Sequence, residues 1–145
     1  MAASGDLLIA TATTYTNNAT QGSTTATGYT TSLTTAGTCG VAFVAPPSGK
    51  VTIHFHTAGF GTGTGSTKTA VRVGTTSSIG GGSTVYAATD DNMILFAGTA
   101  VYGIGNFAEV SGLTAGDTYN ACMAHNVDAG TGQFLRRNIK VVPDL

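Results

Sequence analysis

The chain has no tryptophan, and Asp, Glu, Lys and Arg together make up only 9% of its 145 residues. An average soluble protein carries roughly 25% charged residues. Six basic and seven acidic side chains leave a net charge of −1. There is no basic excess to hold a phosphate backbone, so nucleic acid is excluded as a simple electrostatic partner. The two cysteines, Cys39 and Cys122, are too few for a disulfide framework and lack metal-site spacing, so two reduced, buried thiols are expected. No apolar run approaches the length of about 18 residues needed to span a membrane, so no membrane partner is expected. A secretory leader is not expected either. Asp6 stands where a positive charge belongs, and Leu7-Leu8-Ile9-Ala10 is too short an apolar core. Charged side chains are missing altogether from residues 7–49.

What is present is threonine, 27 residues, and glycine, 21 residues, with hydrophobic residues at 41%. Threonine and valine favour strands, glycine favours turns, and the long-chain helix formers are scarce. The composition predicts an all-β chain of one domain's length. Residues 51–57 alternate cleanly, with Val51, Ile53 and Phe55 on one face and Thr52, His54 and His56 on the other. Further strands are predicted at 40–44, 69–73, 106–111, 118–127 and 134–142, with a short apolar run at 93–97. In 118–127, Tyr119, Ala121, Met123, His125 and Val127 share a face. In 134–142, Leu135, Ile139 and Val141 oppose Arg136, Asn138 and Lys140, and Arg137 falls on the apolar side. Turns are predicted at 45–50, 112–117 and 128–132, a loop at 58–66 and a flexible glycine loop at 77–83. Short strands with a turn about every ten residues make an antiparallel β-sandwich, jelly-roll or immunoglobulin-like. Residues 39–145 form that sandwich domain, and residues 1–38 a Thr-rich extended N-terminal arm.

The arm has little apolar content of its own to offset the entropy of ordering. It is therefore expected to add strands to a sheet edge and to gain its order across a subunit boundary. Leu7, Leu8 and Ile9 are its candidate anchor. Arg136 and Arg137 are further candidate assembly contacts, pointing to opposite faces of the closing strand. Arg137 must meet either the core or a partner, and a carboxylate or carbonyl is expected beside it.

No constellation of residues specifies catalysis. Ser48-Gly49-Lys50 lacks the first glycine and the final Ser/Thr of a phosphate loop, and Gly61-Thr62-Gly63-Thr64-Gly65 does not fit a dinucleotide loop. Asp90 and Asp91 are adjacent and suit a turn better than a carboxylate pair. Asn18-Ala19-Thr20 is a glycosylation sequon that matters only in a secreted chain. His54 and His56 could reach one metal, with His125 as a third ligand, but no acidic residue stands near. Solvent-facing or interfacial histidines are expected instead, with no metal and no cofactor. The chain is not expected to be an enzyme.

The string Gly112-Leu113-Thr114-Ala115-Gly116-Asp117-Thr118-Tyr119 resembles the corner of fibronectin-type and immunoglobulin-like sandwiches. There, a tyrosine opening a strand hydrogen-bonds back to the preceding turn. Tyr119 is thus a candidate structural residue. Joined to residues 43–51, His125, Gly130-Thr131-Gly132, Arg136-Arg137 and the ending 139–143, this corner is similar to a domain in structural proteins of tailed phages of actinobacteria. These are capsid decoration and minor tail proteins. The resemblance covers residues 39–145 and leaves the arm outside. It implies a virion structural protein, assembled in the host cytoplasm, that binds the major capsid protein lattice and reinforces the outer capsid surface. Lattice symmetry axes favour three-fold or six-fold clusters, and a homotrimer is expected. The alternatives are a minor tail protein and a virion-displayed carbohydrate-binding module. The last would want exposed aromatics grouped on one face, whereas Tyr15, Tyr29, Tyr86, Tyr102 and Tyr119 are scattered along the chain.

Overall fold

A computed structural model describes the backbone of Thr14–Asn17 and residues 20–63 and 65–144. Leu7, Leu8 and Ile9, the candidate anchor, lie outside the described residues. The described residues form ten strands, with no α-helix among them. The strands are β1 (Thr14–Asn17), β2 (Gly22–Thr24), β3 (Gly40–Val44), β4 (Val51–Gly61), β5 (Thr67–Thr75), β6 (Thr84–Tyr86), β7 (Ile94–Phe96), β8 (Tyr102–Val110), β9 (Thr118–Val127) and β10 (Gly132–Pro143). Sheet A runs β1-β10-β4-β8, with β2 also on β10. Sheet B runs β3-β9-β5-β6, with β7 also on β5. Every pairing is antiparallel.

From β3 onward the chain alternates between the sheets. β3, β5 to β7 and β9 lie in sheet B, and β4, β8 and β10 in sheet A. This winding is that of a jelly roll, and it decides between the two sandwich types expected from sequence. The core lies between the sheets. Val51, Ile53 and Phe55 from β4 meet Val71 and Val73 from β5, Met123 from β9 and Ile139 and Val141 from β10. The alternation expected in β4 is present, and β4 continues four residues past the predicted end into the expected 58–66 loop. β9 has the predicted bounds but is buried on both faces from Tyr119 to Val127.

The Thr-rich stretch is not separate from this sandwich. β1 and β2 both pair with β10 of their own chain. Where β3 stops covering β9, Thr30 exchanges two backbone hydrogen bonds with His125, at 2.9 and 2.8 Å. The Val127 N–H donates to the Ala26 carbonyl at 2.9 Å. Leu33 and Ala36 are buried with Phe134 in a second, smaller cluster. Gly22 permits this closure, because a Cβ there would stand 2.7 Å from the Ala36 Cβ. The expectation that the arm is ordered across a subunit boundary is thus corrected for its described residues. Main-chain hydrogen bonds to their own chain's sheets supply what their side chains do not.

β10 carries the second correction. Leu135 pairs with Ala58 and Asn138 with His56, so Arg136 and Arg137 together oppose Thr57. This is a β-bulge, and Arg136 takes a φ of 53° to make it. The extra residue shifts the alternation. Phe134, Arg137, Ile139 and Val141 are buried, while Leu135, expected on the apolar face, is only half-buried. Thr57, itself buried, donates its hydroxyl to the Leu135 carbonyl at 3.1 Å.

Candidate functional site

The outer face of sheet A gathers the chemistry that the sequence scatters. His54 and His56 project from β4 and are both exposed. Register sets Phe107 of β8 and Lys140 of β10 on either side of His54. In the next row Gly105 and Asn138 flank His56. The His54 and Phe107 rings are tilted, with centroids 6.2 Å apart. The His56 ring leans over β8, where a Cβ on Gly103 would come within 2.9 Å of its Nε2. Its Nδ1 lies 3.4 Å from the Arg136 carbonyl. The result is an open groove of about 360 Å³ lined by both histidines, Phe107, Gly105, Asn106 and Asn138. Such a surface can bind, through one aromatic ring and several polar heads. His125 does not join it, being wholly buried in sheet B. Among the described residues no group of three His, Cys, Asp or Glu is placed to hold a metal.

The other candidate residues sit elsewhere. The Thr114 N–H donates to the Tyr119 hydroxyl at 3.0 Å, and the Tyr119 ring stacks on Phe43 at 6.0 Å. Arg136 is exposed beside the bulge. Arg137 is 0% exposed and partnered, so it faces the interior and is withdrawn as an assembly contact. Cys39 and Cys122 are free and buried. Cys39 belongs to the core with Met123, and burial pushes its thiol up to about 12, against the pull of Arg137. Cys122 alternates with Ala121 and Met123 and so turns to the opposite face. Burial raises its pKa, and the opposing influences come from Arg72 and Gly80. On opposite faces of one sheet the two thiols cannot be bridged.

Three polar networks had no signature in the sequence. Buried Asn120 donates to the carbonyls of Gly74, Thr76 and Gly81 at 3.0–3.2 Å and accepts from the Gly80 N–H at 3.0 Å. Arg72 adds hydrogen bonds to Thr84 Oγ1 and to the Gly81 and Gly82 carbonyls. The glycine loop expected to be flexible is therefore pinned over sheet B. A second network joins Lys68 to Asp90 and Asp128, each at 2.9 Å, and Tyr29 donates to Asp90 at 2.8 Å. The Lys68 bond, then the Tyr29 bond, hold the Asp90 carboxyl below its usual value. The third network centres on His125, whose Nδ1 lies 2.9 Å from Thr69 Oγ1 and whose ring meets Phe134 at 4.2 Å. Burial, and then the charge of Arg137, push its pKa well below the ordinary 6.5.

No family model matches the chain, and no curated protein does. Among solved structures it is similar to Eiger TNF from S. frugiperda, at 8% identity over 94% of each chain with a TM-score of 0.49. It is also similar to the CBM22-1 xylan-binding domain of Paenibacillus barcinonensis Xyn10C, at 10% identity over 92% of this chain and 95% of that one, with a TM-score of 0.42. Neither likeness bears on function at these scores, and the jelly roll follows from the strand order itself.

Proposed function

We propose that the chain is a structural protein of a virion, a decoration protein that attaches to a phage capsid and reinforces its outer surface. One observation supports the reading above others. Residues 93–108 carry no charged side chain, yet most of this stretch is exposed along the side of the sandwich where β7 gives way to β8. Leu95, Val101 and Tyr102 are exposed there, Val101 at 56%. Among the described residues β8 is an edge strand, paired in its sheet with β4 alone. An edge without charge from Tyr102 to Ala108, beside exposed apolar side chains, invites pairing with another chain. On a repeating lattice, weak contacts of this kind multiply into firm attachment. The partners are the major capsid protein lattice and copies of the chain itself as a homotrimer, and the proposal assigns no catalytic step and no nucleic acid.

The test is co-sedimentation with capsid shells stripped of accessory proteins. The unmodified chain is expected to pellet with shells at a fixed ratio, and Val101→Lys to stay in the supernatant at an unchanged melting temperature. Recovery with isolated tails instead would replace the proposal by the minor tail reading. Recovery with neither would end the virion reading.

A further inference from the structure

We infer that the groove on the outer face of sheet A binds an acidic glycan, through the carboxylated sugar rings of a polyuronide. The groove is asymmetric. On its β8 side stands Phe107, 54% exposed. On its β10 side stands exposed Lys140, opposite His54 in register, and exposed Arg136 lies by the bulge next to His56. Lys140 thus stands in the row beside the groove, and the backbone carbonyl of Arg136 meets His56 at its rim. No acidic residue lines it. The acids of this face, Glu109 and Asp144, stand at the row of Thr52, beyond that of His54.

A uronic acid ring matches each part. Its face of C–H groups suits the negative face of an aromatic ring. Its hydroxyls suit the imidazoles, which both donate and accept. Its carboxylate suits an ammonium or guanidinium. Gly105 leaves the floor of the trough without a side chain, so a ring can lie flat between Phe107 and His56. The volume of about 360 Å³ falls within the range of about 300–1,000 Å³ typical of small-ligand sites. Single-stranded nucleic acid fits less well, because it calls for several stacking aromatics and a cationic track. The groove shares β8 with the uncharged edge, but Leu95, Val101 and Tyr102 are not among its lining side chains, so substitutions can separate the two.

Titration calorimetry with hexagalacturonate, xylohexaose and a hexaglutamate peptide tests the inference on the full chain. Hexagalacturonate is expected to bind at least tenfold more tightly than the other two, and less tightly as salt is raised. Phe107→Ala and Lys140→Gln are each expected to weaken it tenfold or more. Val101→Lys should leave the affinity unchanged even where it abolishes attachment to shells. No detectable binding at millimolar hexagalacturonate overturns the inference. So does equal binding of xylohexaose or hexaglutamate, or full affinity in both groove variants. Should Phe107→Ala lower the melting temperature, amide shift perturbation of the unmodified protein decides. Shifts confined to β4, β8 and β10 support the site, and shifts elsewhere overturn it.

Discussion

Tyr119 shows how a single hydroxyl can close a corner. Its ring is buried against Phe43, and its oxygen accepts the Thr114 N–H. Tyr119→Phe keeps the packing and leaves that N–H without its acceptor. The expected cost is about 1 kcal/mol, or roughly 2–4 °C in melting temperature for a domain of this size, read by thermal denaturation. This bond was legible because the tyrosine and its turn are neighbours in sequence. His125 was legible only in part. Alternation set it on one face with Tyr119 and Met123, but a solvent-facing or interfacial histidine was expected, because its surroundings come from two other strands: Thr69 of β5, and Phe134 and Arg137 of β10. The folded state holds its imidazole well below 6.5, whereas the unfolded chain protonates it near that value. The unfolded state therefore binds more protons below pH 6.5, and stability falls as the pH drops through this window. Urea titrations at pH 7 and pH 5 should differ by up to about 2 kcal/mol from this group. His125→Gln should remove most of the difference. Asp90 acts in another window, since its lowered pKa costs stability only below its ordinary 3.8.

Elements were legible where one residue type follows another in strict alternation. β4 was read correctly up to Thr57 because every second side chain is apolar, and β9 was read correctly in its bounds, although both its faces are buried. β10 was not, because its bulge spends one residue without advancing the register. A period-2 pattern read through a bulge comes out wrong on one side of it, which is why Leu135 was assigned the face that Phe134 occupies. Nothing in the pair Arg136-Arg137 announces the positive φ of Arg136. The loop at 77–83 was misread for a different reason. Its glycines suggest freedom, but its carbonyls are held from below by Asn120, forty residues away, and by Arg72. Asn120→Ala removes the side-chain partner of the buried Gly74 carbonyl and of several part-buried backbone groups at once. It is expected to cost about 2–3 kcal/mol and to speed amide exchange at Gly80 and Gly81 by more than tenfold, while exchange in β4 keeps its order. Unchanged exchange at Gly80 would show that Arg72 alone holds the loop.

For the whole molecule, the low charge and the abundance of threonine and glycine pointed to a sandwich, and the winding of the strands makes it a jelly roll. The groove was not legible, because it assembles only when β8, β4 and β10 lie side by side. The Thr-rich stretch was hardest to read, because its contribution is main-chain pairing rather than buried side chains. Its weak hydrophobicity suggested an arm in need of a neighbour, yet β1 and β2 occupy the β10 edge of the same chain. Leu33 and Ala36 also cover Phe134, which would otherwise face water. Two truncations separate these descriptions. Removing residues 1–13 touches none of the described strands and sets the reference melting temperature. Removing residues 1–38 strips two strands from β10, frees the His125 backbone and uncovers Phe134. Exposing Phe134 and losing Leu33 cost about 2–3 kcal/mol each, before the lost strand hydrogen bonds are added. The longer truncation should therefore unfold at least 10 °C below the shorter one and bind a hydrophobic dye. If it instead melts with the intact chain, the stretch contributes nothing to the sandwich, and an arm reaching a neighbouring subunit becomes the better description.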